Sequence, residues 1–130
     1  MNKKIVISAT VLIALSIILG AFAAHGLKKV IGADEIIIFE KGVKYQMYTG
    51  LGLLVTGLNA DKFTFDLKWF HRLSMLGVAI FSGLIYILAF KELNPNLKIL
   101  GAFVPIGGTL MISAWISLLV NILRKQKTQV

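Results

Sequence analysis

The sequence predicts an all-α membrane protein, an up-down bundle of four transmembrane helices in a single integral membrane domain over residues 1–130. Three observations predict this fold. Hydrophobic residues make up 57% of the chain, against roughly 45–50% in soluble domains. They are gathered into long runs without charge. The basic residues lie at the ends of these runs, where lysine and arginine anchor helices next to anionic lipid.

The first predicted span covers residues 5–24, which carry no charged side chain. A helix of this length spans roughly 30 Å, the thickness of the bilayer core. Ser16, Gly20 and Ala24 recur at every fourth position and predict a face of small residues for close helix packing. The rival interpretation is a secretory signal cleaved after Ala23, which would leave three spans. The apolar part of such a signal is about 7–15 residues long, shorter than this run.

The second predicted helix begins near residue 33, and its interfacial N-terminal extension precedes a span over residues 43–59. Asp34 and Glu35 follow Gly32 and mark a helix start, because acidic side chains interact favourably with the positive end of the helix dipole. A polar or small face runs along the span at steps of four, three and four residues, and we expect it to face other helices rather than lipid. Its members are Tyr45, Thr49, Gly52 and Thr56.

The third predicted span covers residues 73–90, and its Ala79-x-x-x-Gly83 pair predicts another close helix contact. The fourth covers residues 103–123, within an apolar run that Pro105 divides. Two alternatives fit a proline there: a helix that begins near Pro105, or one that begins earlier and kinks at it. Gly107-Gly108, directly after the proline, indicates local irregularity.

The basic residues predict the orientation of the chain. Eight lie on the side of the termini and the middle connector, against six on the other side. The eight are Lys3, Lys4, Lys62, Lys68, Arg72, Arg124, Lys125 and Lys127. Because cytoplasmic segments carry the excess of Lys and Arg, we predict a multi-pass protein of the cytoplasmic membrane with both termini in the cytoplasm.

The predicted partners are the lipid bilayer and either a second copy of the chain or another membrane protein. A net charge of +8 would suggest nucleic acid in a soluble protein. No basic face with interleaved aromatic residues is visible in this sequence, so no nucleic-acid partner is predicted.

The spans carry no pattern that is typical of catalysis or transport. No charged residue lies in the middle of a span, where proton relays, coupled carriers and ion filters place ionisable groups. Paired carboxylates, metal-ligand clusters and nucleophile motifs are also missing from the spans. His25 and His71 fall at opposite membrane faces on an up-down count, so we do not expect them to share a metal. We predict no catalytic residue, metal site or cofactor.

Six side chains form the candidate polar cluster or cavity: His25, Tyr45, Gln46, Ser82, Tyr86 and Trp115. His25 either bonds the last carbonyls of its helix or partners Gln46, whose amide would cost about 2–7 kcal/mol if left unsatisfied near hydrocarbon. Tyr86 is either an interface anchor or part of a polar face with Ser82. Trp115 either packs between helices or lines a cavity. Gly20, Gly83, Pro105, Gly107 and Gly108 are the predicted packing or kink positions.

Four motifs occur in order along the chain. They read LGAFAAHGL from Leu19, YQMY from Tyr45, FSGLIY from Phe81 and PIGG from Pro105, with Trp115 after them. Together they resemble the small membrane family catalogued as domain of unknown function 423, which is related to transmembrane protein 256. The resemblance covers nearly the whole chain. It implies a four-helix inner-membrane protein that keeps its first span, and it implies no activity.

Three positions depart from the pattern that this resemblance implies. Thr49 stands where a histidine is expected, Val104 where a threonine is expected and Ala114 where a glycine is expected. If the family had a site of two histidines, this chain could not form it. The departure at Thr49 therefore favours a structural role.

The leading hypothesis is a non-enzymatic structural or accessory component of the cytoplasmic membrane. An alternative is a binder or passive conduit for a lipid, quinone or other apolar small molecule, with His25, Tyr45, Gln46 and Trp115 around its cavity. A third hypothesis is a membrane enzyme that uses His25 as acid or base, although no second catalytic group is placed to help it.

Overall fold

Four long α-helices form the protein in a computed structural model that describes residues 1–126, with side chains through residue 124. They are α1 (Lys3–Ala24), α2 (Ala33–Leu58), α3 (Lys68–Leu88) and α4 (Val104–Gln126). Short 3₁₀ segments lie between them, at Gly26–Lys29, Ala60–Lys62 and Pro95–Ala102. The described part of the chain is all-helical, as predicted. Lys127, which the sequence assigns to the basic C-terminus, lies outside it.

The helix starts follow from local sequence chemistry. The Asn2 side chain accepts a hydrogen bond from the backbone N–H of Ile5 at 3.2 Å and caps α1. Asp34 and Glu35 lie in the first turn of α2, which begins after Gly32 as the sequence predicts. Of the two alternatives for Pro105, the structure has the helix start. Pro105 occupies the first turn of α4, where a missing N–H breaks no helical hydrogen bond.

Consecutive helices pack antiparallel, with α1 on α2, α2 on α3 and α3 on α4. The backbone N–H of Asn2 donates to the carbonyl of Gly57 at 2.8 Å, so α1 begins beside the end of α2. Across the described residues, α1 and α4 do not form a packed pair of this kind. The helices α2 and α3 are therefore the central pair, and α1 and α4 flank them.

Three helical segments are long and apolar enough to cross a membrane, judged by length and composition. They are Lys3–Lys29, Lys68–Leu88 and Pro95–Arg124, with mean hydropathies of 2.7, 1.6 and 1.9. Among the described helices α2 is not one of them, because charged and polar side chains interrupt its sequence. These three segments account for three of the four predicted spans, and α2 would have to be the fourth.

The buried side chains form two clusters, one toward each end of the molecule. One cluster includes Ile5 and Leu53 near the start of α1, and the other includes Ala23 and Phe39 near its end. Along α2, Gln46 falls between Phe39 of one cluster and Leu53 of the other. The main buried polar contact thus lies between two apolar layers.

The predicted small-residue face of α1 is only partly correct. Ser16 is buried, but Ala24 is exposed and Ala23 is buried in its place. A Cβ added at Gly20 would lie 3.6 Å from Val43, an ordinary van der Waals distance, so Gly20 does not mark a close approach. The reason is geometric. A helix has 3.6 residues per turn, so a strict four-residue repeat drifts off the contact face.

The predicted close contact at Gly83 is also corrected by the structure. A Cβ added at Gly83 would meet no atom within 4 Å, and Ala79 is exposed. The close contact of α3 lies instead at Gly77, where an added Cβ would be 2.8 Å from the backbone nitrogen of Met111. Gly107 is at the same contact, and a Cβ there would clash with the backbone of Phe81.

Gly108 makes no comparably close approach, since its added Cβ would lie 3.5 Å from the Phe81 ring. Two further glycines that the sequence analysis missed let α1 lie close to α2. A Cβ at Gly50 would be 2.8 Å from Ile13, and one at Gly57 would be 2.9 Å from Ile5. The bundle therefore depends on glycine at positions other than the two that the repeat pattern selected.

Candidate functional site: a polar contact between three helices

Gln46 on α2 joins the two helices that flank it. The residue is 5% exposed. The amide nitrogen Nε2 donates to the backbone carbonyl of Leu12 on α1 at 3.0 Å. The amide oxygen Oε1 accepts a hydrogen bond from the hydroxyl of Tyr86 on α3 at 2.6 Å. One side chain thus connects α1, α2 and α3 between the two apolar clusters.

The Leu12 carbonyl accepts a second side-chain hydrogen bond, from the hydroxyl of Ser16 at 2.8 Å. This carbonyl already accepts the helical N–H four residues on, so the two side chains use its remaining acceptor capacity. Ser16 and Gln46 cover it from two helices. The local arrangement explains why a serine is buried on the inner face of α1.

His25 does not partner Gln46, and that expectation is wrong. Its Nδ1–H donates to the carbonyl of Ala21 at 3.0 Å, one turn back in the same helix, and the residue is exposed. The physical reason is distance along the helix. His25 follows the last turn of α1, whereas Gln46 faces Leu12 in the middle of it. The helix-end interpretation of His25 matches this geometry.

Ser82 and Tyr86 both face α2, one turn apart on α3. The Ser82 hydroxyl donates to the backbone carbonyl of Gly42 at 2.8 Å. The Tyr86 ring packs on Phe39, with 4.8 Å between ring centroids. A Cβ at Gly42 would approach the Tyr86 ring to 2.7 Å, so the glycine makes room for the tyrosine. Tyr86 is therefore a hydrogen-bond partner of Gln46 across the α2–α3 contact, and not only an interface anchor.

Tyr45 and Trp115 lie apart from this cluster. Tyr45 is 45% exposed, and its ring contacts Phe81 with 5.0 Å between centroids. Trp115 is 49% exposed, and it packs on Phe70 with 5.0 Å between centroids. Its indole also lies over Gly52 of α2. These two side chains pack between helices, and the cavity beside Gln46 does not include them.

A groove opens on the side of the molecule between α1 and α3, next to Gln46. Its volume is about 160 Å³, comparable to an apolar cavity of about 150 Å³ that holds a benzene-sized molecule. Its walls are almost wholly apolar, because the polar atoms of Gln46, Ser82 and Tyr86 bond to other helices. The lining residues are Leu12, Leu15, Gln46, Met75, Val78, Ala79, Ser82, Gly83 and Tyr86.

Every buried side-chain nitrogen or oxygen in the described residues has a hydrogen-bond partner within the chain. The same residues contain no group of three His, Asp or Glu side chains close enough to hold a metal ion. His25 and His71 lie at opposite ends of the molecule, because His71 bonds to Ser8 near the start of α1.

The connector between α2 and α3 meets the start of α1. The N-terminal ammonium group of Met1 lies 3.3 Å from Oδ1 of Asp61. A hydrogen bond from the backbone N–H of Asp61, followed by the nearby ammonium group, lowers the pKa of the Asp61 carboxyl. The Nε2 atom of His71 lies 2.9 Å from the hydroxyl of Ser8. From the sequence, His71 was expected only at the membrane face opposite His25, and its contact with Ser8 was not predicted.

The match to a known family covers the α2 and α3 side chains of the polar contact, but not Leu12 and Ser16 of α1. A family model with the description "Protein of unknown function (DUF423)" matches residues 19–108. The chain belongs to the DUF423 family. The resemblance expected from the motifs is confirmed. Gln46, Ser82 and Tyr86 lie inside the matched range, and Trp115 lies outside it.

Curated relatives of this DUF423 chain are named membrane proteins. It is 39% identical over 119 residues to a UPF0382 membrane protein of Staphylococcus haemolyticus, covering 92% of this chain and 94% of the relative. It is 36% identical over 120 residues to the UPF0382 membrane protein YwdK of Bacillus subtilis, with 91% and 94% covered.

A UPF0382 membrane protein of Haemophilus influenzae is 42% identical over 115 residues, with 82% of this chain and 86% of the relative covered. No solved structure gives a significant match. Together with the three apolar helical segments, these relatives identify the DUF423 chain as a membrane protein.

Proposed function

We propose that this DUF423 chain is a non-enzymatic structural or accessory component of the cytoplasmic membrane. One observation carries the proposal. Both polar atoms of Gln46 bond to neighbouring helices, at 3.0 Å to Leu12 and at 2.6 Å to Tyr86. The most polar side chain of the helix interior is therefore engaged in holding three helices together. The proposed partners of the protein are the lipid bilayer and either a second copy of the chain or another membrane protein. Nucleic acid is not a proposed partner.

The proposal includes four spans, with α2 as the fourth. The uncharged polar residues Gln46, Thr49 and Thr56 of α2 point inward, since all three are buried. The exposed charges Glu40, Lys41 and Lys44 lie in its N-terminal half, before this buried polar face. The outward side chains of α2 in the region of this face are largely apolar and exposed, among them Leu51 and Val55. A helix with this arrangement presents hydrocarbon to lipid and keeps its polar groups in the protein. Its antiparallel packing between α1 and α3 supports the same architecture.

Topology is tested by single-cysteine labelling, because the chain contains no cysteine. Lys28→Cys, Thr64→Cys and Leu93→Cys place thiols at exposed positions in three successive connections. Four spans with cytoplasmic termini predict that an impermeant maleimide labels positions 28 and 93 in intact cells. Position 64 should react only after permeabilisation. Reaction of positions 28 and 64 from the same side would exclude α2 as a span.

The structural role is tested by native mass spectrometry of the protein extracted from its own membrane in mild detergent. The expected species is an intact chain in a discrete complex with a second copy or another membrane protein, without a small-molecule adduct. Gln46→Met should lower the melting temperature of that complex. A stoichiometric small-molecule adduct that is absent from the Gln46→Met variant would overturn the structural role.

A second candidate function is a binder or passive conduit for a lipid, quinone or other apolar molecule. The lateral groove of about 160 Å³ beside Gln46 favours it. Gly83→Leu fills the groove, since no atom lies within 4 Å of the added Cβ. Ala14→Leu is the matched control, because Ala14 is exposed and does not line the groove. An apolar adduct lost only in Gly83→Leu supports binding, and an adduct kept in both variants contradicts it.

A further inference from the structure

A second cavity, of about 330 Å³, lies at the end of the molecule where α1 and α3 begin. It differs from the lateral groove in its polar and charged lining. Both helices and the connector before α3 contribute to it. The polar residues that line it are Asn2, Lys4, Asp66, Lys68, His71 and Arg72.

The cavity carries an excess of positive charge. Lys4, Lys68 and Arg72 contribute three cations and Asp66 one carboxylate, which leaves a net charge of +2. None of the three cations makes an ion pair with a described residue. Oδ1 of Asp66 accepts the backbone N–H of Lys68, the first residue of α3, at 2.8 Å. The Asp66 carboxylate is thus directed to the start of α3, and the three cationic groups can bind an anion from outside the protein.

Two helix ends add to this potential. Both α1 and α3 begin at the cavity, and the first turn of a helix carries a partial positive charge. Asn2 caps α1, and Asp66 bonds to the first N–H of α3. The side-chain cations and the helix dipoles favour an anion, and the volume of about 330 Å³ limits it to a modest size.

His71 is held in place on the cavity wall by a chain of hydrogen bonds. The Ser8 hydroxyl donates to the carbonyl of Lys4 at 2.9 Å, so its oxygen accepts from His71. His71 therefore carries its proton on Nε2, 2.9 Å from Ser8 Oγ.

The cavity lies beside an interfacial aromatic residue. Trp69 is 61% exposed, and the guanidinium carbon of Arg72 lies 5.8 Å from the centroid of its ring. Exposed tryptophan at the end of an apolar helix is typical of the headgroup level of a bilayer. A cation held over this ring therefore lies at the depth of the lipid phosphates.

We infer that this cavity binds the phosphate group of an anionic phospholipid, with Lys4, Lys68 and Arg72 as its cationic ligands. Free phosphate shares the same chemistry. The position beside Trp69 favours the lipid, because its phosphate is already concentrated at this level. The inference goes beyond the structural role proposed above, and it requires only that α1 and α3 lie in a membrane.

The test uses the full chain in mild detergent and native mass spectrometry. The probes are dioleoyl phosphatidylglycerol, dioleoyl phosphatidylcholine with the same acyl chains, and inorganic phosphate. We expect phosphatidylglycerol to bind more tightly than either of the others. Lys68→Gln combined with Arg72→Gln should weaken phosphatidylglycerol binding about 25-fold, at about fivefold for each basic residue near the surface.

The matched control is Lys28→Gln combined with Lys29→Gln, which removes two exposed cations at the opposite end of α1. These two lysines lie a helix length from the cavity, well beyond the Debye screening length of about 8 Å. If this control lost as much phosphatidylglycerol binding, the effect would come from the overall charge of the protein, and the proposed site would be wrong. Equal binding of phosphatidylcholine would show that the negative charge is not recognised.

Inorganic phosphate that binds as tightly as phosphatidylglycerol and displaces it would assign the site to the free ion, against the lipid. Lys4→Gln on α1 tests the same cavity from its other wall and should weaken phosphatidylglycerol binding about fivefold. Melting temperatures of the variants check that each remains folded. A folded Lys4→Gln variant with unchanged binding would remove α1 from the site and contradict the inference.

Discussion

The α3–α4 contact and the α2–α3 contact hold neighbouring helices together by different means. Between α3 and α4, Gly77 and Gly107 bring two backbones together. A Cβ added at Gly107 would lie 2.9 Å from the carbonyl oxygen of Gly77. Between α2 and α3, side chains make the connection, with Tyr86 bonded to Gln46 at 2.6 Å and Ser82 to a backbone carbonyl at 2.8 Å.

The difference matters because lipid tails are as apolar as the helices themselves. Helix association in a bilayer therefore rests on close packing and on interhelical hydrogen bonds. The glycine contact requires an absence of side chain and would fail by steric overlap. The polar contact requires particular atoms and would fail by leaving a donor or acceptor unpaired. The two contacts should respond to substitution in different ways and by different amounts.

The largest effect is expected at the glycine contact. Gly107→Ala places a Cβ against the backbone of Phe81, and backbone atoms cannot move aside as a flexible side chain can. We expect a loss of about 3 kcal/mol in the free energy of unfolding, the upper range for overpacking. Reversible unfolding in mixed detergent micelles measures it.

Gly83→Ala on α3 is the control for this substitution, since its added Cβ meets no atom within 4 Å. Alanine is the better helix former, so this variant should be neutral or more stable by up to about 1 kcal/mol. Similar losses in the two variants would contradict the distinction between the α3–α4 contact and the groove face of α3.

An intermediate effect is expected at the polar contact. Gln46→Met leaves the Tyr86 hydroxyl without its acceptor, and Tyr86→Phe leaves Oε1 of Gln46 without its donor. Each variant should lose about 1–2 kcal/mol, because an interhelical hydrogen bond in a membrane is worth up to about that amount.

The double variant distinguishes the hydrogen bond from general packing. Residues that share one hydrogen bond are coupled, so the double variant should lose about 1 kcal/mol less than the sum of the single variants. The same unfolding assay measures all three proteins. Losses that simply add would mean that Gln46 and Tyr86 stabilise the bundle independently of each other.

The starts of α2 and α4 could be predicted from sequence because local chemistry determines them. Charged residues, the acidic first turn at Asp34 and Glu35, and the fixed φ of Pro105 all act within a few residues of a helix end. The inward face of α2 was also predictable in part. Thr49 and Thr56 are buried on it, although Tyr45 is not.

The close glycine contacts could not be predicted in the same way. A four-residue repeat of small residues selects Ala79 and Gly83, whereas the neighbouring helix lies against Gly77. The choice depends on how α3 is rotated about its own axis, which the packing of all four helices determines. The partner of the Gln46 amide nitrogen was missed for a related reason. Its acceptor is the backbone carbonyl of Leu12, and backbone groups leave no mark in the sequence.

The smallest effect is expected at Ser82, the second hydrogen bond of the α2–α3 contact. Ser82→Ala removes a donor, but the Gly42 carbonyl keeps its helical partner, so no group is left unpaired. We expect a loss of about 0.6 kcal/mol, the average for such bonds in membrane proteins. Ser113→Ala is the control, because that hydroxyl bonds only to Thr109 in its own helix, and its loss should be close to zero. If Ser113→Ala destabilised the protein as much as Ser82→Ala, the Ser82 bond would contribute nothing as a link between helices, and Gln46 alone would provide the polar connection.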